Sequence, residues 1–356
     1  MSRPPVSPAR AVAFTTLIRT HRGAFASDLL LSLSRNLDSR DAGLASELVF
    51  GCLRRQAQLD YLIGLHARNH KLDPEILVAL RMGVYQLLFL ERVPAHAAVS
   101  ESVELARHAG KRSAAPLVNA ILRAILRQGP AHGAWPDRPT ELSSPGWLLA
   151  RWDTHFGPAL ATQIALAFLE KPQTSVASTG RIQDPGSQSI VPLLDIHPGH
   201  SFLDVCAAPG NKTAQAIEAG ARAIACDLYP RRLAALAGLP CPRVALDATR
   251  PLPFAALFDR ILVDAPCSGT GTLDRNPEIK WRLTPEDLLD LRRRQRAILA
   301  NSLALLKPGG RLVYSTCSLE PEENEQVIAA FPGPWQTSLR LPGLDPGDGF
   351  FAAVLT

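Results

Sequence analysis

Two cysteines hold equivalent positions in the chain, each a few residues after an apolar run. Cys267 follows the run 260–264, and Cys317 follows the run 311–314. Both runs have the length and composition of buried β-strands. In an open α/β sheet, ligands and catalytic groups collect at the carboxyl ends of such strands. Two thiols at one edge of a sheet could form a redox pair, contribute half of a metal site, or act as a nucleophile and its helper.

The elements that would position these thiols are strands that alternate with helices from Ser201 onward. The predicted strands span 202–205, 223–227, 244–247, 261–264, 310–314 and 349–355. The predicted helices between them span 213–220, 230–236 and 284–306. This alternation is typical of an α/β fold with a doubly wound parallel sheet.

A turn of small residues joins the first predicted strand to its helix, in the sequence Asp204-Val-Cys-Ala-Ala-Pro-Gly-Asn-Lys-Thr. It satisfies neither GxxxxGK[ST] nor GxGxxG, so it is neither a Walker A loop nor a dinucleotide-binding fingerprint. Small residues let the backbone approach a ligand closely, and the free N–H groups at the start of a helix can hold an anionic group. The turn is therefore a candidate ligand-binding loop.

Aspartates end the next three predicted strands, at Asp227, Asp247 and Asp264. A carboxylate at this position typically accepts hydrogen bonds from ribose hydroxyl groups, although each aspartate alone could cap a helix. In series they describe a pocket for a nucleoside-bearing cofactor with free hydroxyl groups and an amine. S-adenosylmethionine fits such a pocket better than a dinucleotide, because this many carboxylates would repel a pyrophosphate.

The composition of the chain shows which other kinds of site are not expected. The chain has 356 residues, of which 46% are hydrophobic and 20% charged, as in an ordinary globular protein. Its six cysteines include no CxxC pair, and its nine histidines show no metal-ligand spacing, so neither a disulfide framework nor a metal site is expected. No apolar run approaches the roughly 20 residues that cross a bilayer, and no signal peptide is recognisable. A reduced, cytoplasmic location is expected.

The N-terminal third is helical and basic. Apolar residues with helical spacing recur throughout 9–128, which predicts a compact all-α domain. Residues 1–130 contain 17 Lys and Arg against 10 Asp and Glu, a net charge of +7, whereas the remainder holds 21 against 23, a net charge of −2. This asymmetry favours a polyanionic partner for the first part, although a merely soluble basic surface would have the same composition.

Three segments together resemble the signatures of the RNA cytosine-C5 methyltransferases. They are the turn at 204–213, Asp264-Ala-Pro-Cys-Ser-Gly-Thr-Gly, and Tyr314-Ser-Thr-Cys-Ser-Leu-Glu-Pro-Glu-Glu-Asn. The basic, helical N-terminal region resembles a NusB-type RNA-binding domain. The segments 182–188 and 348–351 extend the similarity over nearly the whole chain. In this combination the sequence resembles the 16S ribosomal RNA cytosine-C5 methyltransferase B family.

The resemblance implies an architecture and a partner. An all-α NusB-like domain would span 1–128, and a linker with a shortened middle helical segment would span 129–181. A Rossmann-like class I methyltransferase domain would span 182–356. The expected protein is a monomer that binds RNA, with 16S ribosomal RNA as the first candidate. No bound metal and no membrane association are expected.

The resemblance also assigns roles to the two cysteines. Cys317 would be the nucleophile that adds to C6 of cytosine, which makes C5 reactive towards the methyl group of S-adenosylmethionine. Cys267 would assist the elimination that frees the product, and Asp264 would hold the N3/N4 edge of the base. DNA cytosine methyltransferases place their nucleophile at the Pro-Cys position, so the additional cysteine of the Ser-Thr-Cys segment favours RNA.

For the cofactor, the resemblance places one loop around the methionine moiety and three aspartates around the nucleoside. The loop residues are Cys206, Ala207, Ala208, Pro209, Gly210, Asn211 and Lys212. The aspartates are Asp227 at the ribose, Asp247 at the adenine and Asp264 at the edge shared with the target base. Lys212 and a nearby helix N-terminus are candidates to ionise the attacking thiol. Lys280 and Trp281, after the Pro-Cys loop, are candidates for substrate contact or for packing of the loop.

Two features depart from the family pattern. Asn211 stands where the family usually has a second glycine, and we expect the loop to form because asparagine tolerates a left-handed backbone. The region before Ile182 is short where the family normally has a small RNA-binding element. Two alternatives therefore stay open: the same chemistry on transfer RNA, and a NusB-like RNA-binding or antitermination factor with an inactive methyltransferase domain.

Overall fold

A computed structural model describes most of the chain. The described residues are 6–67, 71–129, 135–177 and 180–356. Residues 1–5, 68–70, 130–134 and 178–179 lie outside them, and with them the corresponding parts of the predicted helical domain and linker.

The chain divides into two compact units. Unit 1 comprises Met1–Lys171 together with Leu273–Arg282, and unit 2 comprises Pro172–Thr272 together with Leu283–Thr356. The segment 273–282 therefore packs with unit 1, although unit 2 flanks it on both sides in the sequence. The domain boundaries near residues 128 and 181 stay a prediction.

Unit 1 is helical throughout its described part, which confirms the all-α prediction. Its helices are α1 (Pro8–His21), α2 (Ala26–Leu33), α3 (Ser39–Arg54), α4 (Gln56–Ala67), α5 (Pro74–Phe89), α6 (Ala95–His108), α7 (Ala115–Gln128), α8 (Arg138–Glu141), α9 (Gly146–Phe156), α10 (Pro158–Ala167) and, from the returning segment, α14 (Ile279–Arg282). A 3-10 turn at Arg112–Ala114 precedes α7.

Local sequence explains where these helices begin and which of them is central. Pro74 occupies the first turn of α5, where its missing N–H costs nothing. The Asp38 carboxylate caps α3 by accepting a hydrogen bond from the Asp41 N–H at 2.8 Å. Every residue from 78 to 86 is buried, so α5 is surrounded by the other helices and forms the centre of the core of unit 1.

Unit 2 carries the strands. They are β1 (Ser201–Asp204), β2 (Arg222–Asp227), β3 (Arg243–Ala245), β4 (Phe258–Asp264), β5 (Leu306–Thr316), β6 (Gln336–Arg340) and β7 (Phe350–Leu355). Its helices are α11 (Pro185–Gln188), α12 (Asn211–Glu218), α13 (Pro230–Leu233), α15 (Pro285–Leu303) and α16 (Glu325–Ile328). Short 3-10 turns lie at Val191–Leu194, Ala234–Leu236 and Thr270–Thr272.

In the described residues these strands form one seven-stranded sheet in the order β3-β2-β1-β4-β5-β7-β6. Strands β1 to β5 are parallel, and β7 is antiparallel to both β5 and β6. The fully buried run Ile261-Leu262-Val263 marks β4 as a central strand covered on both faces. The winding direction reverses between β1 and β4, and this reversal opens a crevice at the carboxyl ends of the strands. The prediction of a doubly wound α/β sheet is confirmed.

The structure differs from the predicted elements at two points. Strand β3 ends at Ala245, so Asp247 lies in the turn that follows and not at the end of the strand. Strand β6 was not predicted, because Gln336–Arg340 lies at the edge of the sheet, is mostly exposed, and therefore lacks an alternating apolar pattern.

Candidate active site

A cavity of about 500 Å³ lies in unit 2 at the carboxyl ends of the parallel strands. Seven of the predicted site residues line it: Cys206, Ala208, Asp227, Asp247, Asp264, Cys267 and Cys317. The other five do not line it: Ala207, Pro209 and Gly210 lie in the loop after β1, and Asn211 and Lys212 are the first two residues of α12. Apolar side chains from the turn after β3 and from α15, among them Leu246, Leu291 and Ile298, form part of the same wall.

The two cysteines are in contact. Their Sγ atoms are 3.4 Å apart, and both side chains are half-buried. The hydrogen bond with Cys317, and then burial, raise the pKa of the Cys267 thiol well above its ordinary value. A pair of thiols at this distance can exchange a proton or act on one bound group.

Sheet register explains why residues far apart in the chain meet. Strands β4 and β5 pair in parallel with Asp264 opposite Ser315, so the two cysteine-bearing loops leave neighbouring strands at the same level. The Gly271 N–H then donates to the Cys317 carbonyl at 2.9 Å and ties the two loops together.

Asp264 is held between a hydroxyl and an ammonium group. The Ser315 hydroxyl donates to its Oδ1 at 2.8 Å, and the Lys212 amine donates to its Oδ2 at 2.7 Å. Burial lowers the pKa of Lys212, but the Asp264 carboxylate and the Cys317 sulfur outweigh burial, so the net shift is upward. The Lys212 amine also lies 5.0 Å from the centre of the Phe350 ring, a cation–π contact. Lys212 is therefore a buried positive charge at the edge of the cavity.

The loop that joins β1 to α12 adopts its left-handed residue at Gly210, where φ is +107°. Asn211 is instead the first residue of α12 and does not have a left-handed backbone, so the loop does not depend on the tolerance expected of asparagine. Gly210 is also required by packing, because a Cβ there would lie 2.5 Å from Leu236 Cγ. Asn211 therefore lies in helical backbone, where asparagine needs no unusual conformation.

Asp227, the last residue of β2, and Asp247, in the turn after β3, are in different environments. Asp227 is buried; its Oδ1 accepts from the Tyr229 N–H at 2.9 Å, and Arg232 lies 3.5 Å from its Oδ2. Asp247 is more exposed, and its hydrogen bonds with Thr249 lower its pKa. Both carboxylates line the cavity and offer acceptors to a bound ligand.

Three charged groups at the site were missed in the sequence. Arg232 and Arg294 line the cavity, but nothing in their sequence context distinguishes them from other surface arginines. Asp204 is buried beside Thr213, whose hydroxyl donates to it at 2.6 Å. Burial raises the pKa of Asp204 to about 7. Its place in the motif of the loop was the signal that could have identified it.

Lys280 and Trp281 pack inside unit 1. The Lys280 amine is buried and donates to the Arg54 carbonyl at 3.0 Å, and the Trp281 indole donates to the Leu53 carbonyl at 2.8 Å. Burial, and then the charges of Arg54 and Arg55, lower the pKa of Lys280 to about 7. Of the two roles left open for these residues, packing is the one that their contacts support.

The described part of the chain offers neither a cluster of side chains for a metal ion nor a helix that could span a membrane. Within 6–67, 71–129, 135–177 and 180–356, no group of three or more His, Cys, Asp or Glu side chains could hold a metal ion. In those same residues no helix combines the length and the apolar character that a membrane span requires.

Known protein families match both parts of the chain. The model of the family described as 16S rRNA methyltransferase RsmB/F matches residues 191–337. The model of the NusB family matches residues 7–127. The first match contains the strands and loops that form the cavity, and the second contains helices α1 to α6 of unit 1 and all of α7 except its last residue.

Individual relatives match over most of their length. The probable ribosomal RNA small subunit methyltransferase B of Bacillus subtilis is 31% identical over 391 residues, which cover 90% of this chain and 87% of that protein. Ribosomal RNA small subunit methyltransferase B of Proteus mirabilis is 34% identical over 401 residues, which cover 94% of each. A solved structure of a methyltransferase homolog from Pyrococcus horikoshii has a similar fold, with a TM-score of 0.51 and 24% identity, over 62% of this chain and 99% of that one.

Proposed function

We propose that this chain, which belongs to the ribosomal RNA small subunit methyltransferase B family, methylates C5 of a cytosine in 16S ribosomal RNA through a covalent bond between Cys317 and C6. The predicted membership of this family is confirmed. The observation that carries the proposal is the contact of two thiols, 3.4 Å apart, at the edge of a cavity that Asp264 also lines. A single nucleophile would not need a second thiol in contact with it.

The chemistry of the cavity suits S-adenosylmethionine as the methyl donor. Asp227 and Asp247 offer carboxylate acceptors to hydroxyl and amino groups, and Leu246 and Ile298 offer apolar surface to a purine. The charges of Asp227, Asp247 and Asp264 are offset by Arg232, Arg294 and Lys212, so recognition of the cofactor is assigned to the carboxylate acceptors and not to a net charge. When bound, this cofactor supplies an electrophilic methyl group.

Cys317 is assigned the attack on the base. Cytosine C5 is a poor nucleophile, and a bond from the Cys317 sulfur to C6 moves the π electrons of the ring towards C5. The attacking species is the thiolate. The ammonium group of Lys212 interacts with Cys317 and is the cation that we assign to this step.

Asp264 is assigned the recognition of the base. Its two oxygens accept from Lys212 and Ser315, which fixes the orientation of the carboxylate at the wall of the cavity. A carboxylate so held can accept from the exocyclic amine of cytosine or share a proton with N3, and it stabilises charge that develops on the ring as C6 is attacked.

Cys267 is assigned the release of the product. Loss of the C5 proton and departure of the Cys317 sulfur restore the aromatic ring. The raised pKa of Cys267 keeps it a neutral thiol, which can donate a hydrogen bond to the departing sulfur across 3.4 Å.

RNA as the substrate is supported by unit 1. The NusB family model matches residues 7–127, and residues 1–130 carry a net charge of +7. The target cytosine must leave its stack to reach the edge of the sheet, which is easiest in single-stranded or looped RNA.

Three alanine variants test the assignment. Purified native chain and variants are incubated with unmethylated 16S ribosomal RNA and radiolabelled S-adenosylmethionine. Cys317→Ala should lose methyl transfer, whereas Cys267→Ala should accumulate an RNA–protein adduct that survives denaturing electrophoresis. Cys241→Ala, at a half-buried thiol outside the cavity, is the matched control and should turn over normally. Full turnover by Cys317→Ala would exclude the mechanism.

The RNA target is tested in parallel. Bisulfite sequencing of total RNA from a strain that lacks this chain should show the loss of one 5-methylcytosine in 16S ribosomal RNA. Loss of a site in transfer RNA instead would redirect the proposal to that substrate.

A further inference from the structure

A buried glutamate contacts the segments that carry both cysteines. Glu323 has no exposed surface. Its Oε1 accepts from the Ser268 N–H at 2.8 Å, and its Oε2 accepts from the hydroxyl groups of Ser268 and Ser318. Ser268 follows Cys267, and Ser318 follows Cys317. One carboxylate therefore joins the two segments immediately beyond their thiols.

Gln295 adds hydrogen bonds to the segment that carries Cys267. The Gln295 side chain of α15 donates to the Pro266 carbonyl at 2.9 Å and to Glu323 Oε1 at 2.9 Å. Pro266 precedes Cys267, so the residues on both sides of this thiol are hydrogen-bonded to the pair formed by Gln295 and Glu323.

The same arrangement holds Cys317. The Thr316 hydroxyl donates to Asn324 Oδ1 at 2.6 Å, and Asn324 Nδ2 donates to the Ser318 carbonyl at 2.9 Å. The residues on both sides of Cys317 are therefore bonded to Asn324. Its neighbour in the chain, Glu323, is the group that reaches both cysteine segments.

We propose that Glu323 is a positioning residue, which sets the relative placement of the Cys267 and Cys317 thiols by tying both segments to one carboxylate. A buried carboxylate is costly unless its oxygens are well paired, and here four donors offset that cost. Burial raises the pKa of Glu323, and its charge contributes to the raised pKa of Cys267. The use of this placement in catalysis rests on the proposed function, but the placement itself can be measured without RNA.

Two substitutions separate geometry from charge. Glu323→Gln keeps the length of the side chain and both bridging atoms, and the serine hydroxyls can turn to accept from the amide. Glu323→Asp keeps the charge but is one methylene shorter, so it cannot span both segments. Glu325→Gln makes the same change at an exposed neighbouring position and is the matched control.

The measurement is the rate of thiol cross-linking by dibromobimane, which becomes fluorescent when both of its arms have reacted. Monobromobimane, which needs one thiol, reports the reactivity of the separate cysteines. The Cys267→Ser variant gives the background, and peptide mapping identifies the linked pair. The rates are compared with kcat and KM for RNA methylation by the same preparations.

We expect Glu323→Asp to slow cross-linking at least about tenfold relative to labelling by monobromobimane. Tenfold corresponds to about 1.4 kcal/mol, near the low end for a hydrogen bond to a charged group. Glu323→Gln should stay within about threefold of the native chain, a smaller loss than that of one such bond. For both variants kcat should follow the cross-linking rate, with KM unchanged. Cross-linking that survives in the aspartate variant and fails in the glutamine variant would overturn the proposal, as would native rates in both.

A further variant tests the proposal if the Glu323 variants do not fold. Ser268→Ala combined with Ser318→Ala removes the hydroxyl ends of the bridge and retains the carboxylate, and it should slow cross-linking in the same way. Native cross-linking in this double variant would also refute the positioning role. A native chain that cross-links but does not methylate RNA would refute the proposed function alone. If the chain methylates RNA but the cross-linking rate does not depend on Glu323, only the positioning role is refuted.

Discussion

Replacement of Gly271 by alanine tests how closely the two cysteine-bearing loops must approach. A Cβ at this position would lie 2.4 Å from the Gly349 carbonyl oxygen and 2.9 Å from the Cys317 carbonyl oxygen. Both are backbone atoms, so neither can rotate away as a flexible side chain could. Gly271 also donates to Cys317 at 2.9 Å and accepts from the Gly349 N–H at 2.8 Å. The loop can therefore admit a methyl group only by moving.

The cost follows from these contacts. Overpacking of a well-packed site costs about 1–3 kcal/mol, and two rigid neighbours place Gly271→Ala near the upper end. The alanine recovers about 0.4–1 kcal/mol by restricting the unfolded chain. The net loss is about 2 kcal/mol, which for a unit of this size lowers the midpoint of thermal unfolding by about 4–8 °C. Displacement of Cys317 or Cys267 by about 1 Å would lower methyl transfer by about 10²-fold.

Calorimetry and single-turnover methylation measure these two effects. Gly238→Ala is the matched control, because Gly238 is exposed, has no atom within 4 Å of an added Cβ, and does not have a left-handed backbone. This control should be neutral or slightly more stable than the native chain. Equal unfolding temperatures and equal methylation rates for the two variants would refute the close approach of the loops.

Two further predictions concern buried charges. Lys212→Met should lower the rate of single-turnover methyl transfer at least about 10²-fold. Lys307→Met is the control: it removes a 2.8 Å ion pair with Asp259 away from the cavity and should change the rate less than about threefold. Similar losses in both variants would contradict the role of Lys212. Burial raises the pKa of Asp204 to about 7, above its ordinary value of about 3.9, so the stability that its proton supplies is lost as the pH rises from about 4 to about 7. The unfolding temperature of Asp204→Asn relative to the native chain should therefore rise between about pH 5 and about pH 8, and a difference independent of pH would exclude this account.

The meeting of Cys267 and Cys317 was predictable because it depends on strands. Each thiol follows an apolar run long enough to be a buried parallel strand, and parallel strands bring their carboxyl ends to one edge. The register of β4 and β5, with Asp264 opposite Ser315, agrees with that expectation. The edge strand β6 carries no such signal, because its exposed polar residues have neither an apolar run nor an alternation to detect.

Side-chain partners were harder to predict than strands. Lys212 was a candidate to ionise the attacking thiol, but its hydrogen bond to Asp264 depends on how a flexible side chain crosses the edge of the sheet. A left-handed backbone was considered at Asn211, which stands where the family usually has a glycine, whereas Gly210 takes that conformation one residue earlier. Neither the reach of a side chain nor the residue at which a helix begins is encoded in the spacing of apolar residues.

The proposed division of labour between the two cysteines follows from their neighbours and not from the cysteines themselves. The carboxylates of Glu323 and Asp264 contribute to the raised pKa of Cys267, after its hydrogen bond with Cys317 and burial. Cys317 interacts instead with the ammonium group of Lys212. A negative neighbour favours the neutral thiol. The thiol that keeps its proton for product release is therefore expected where the buried glutamate is.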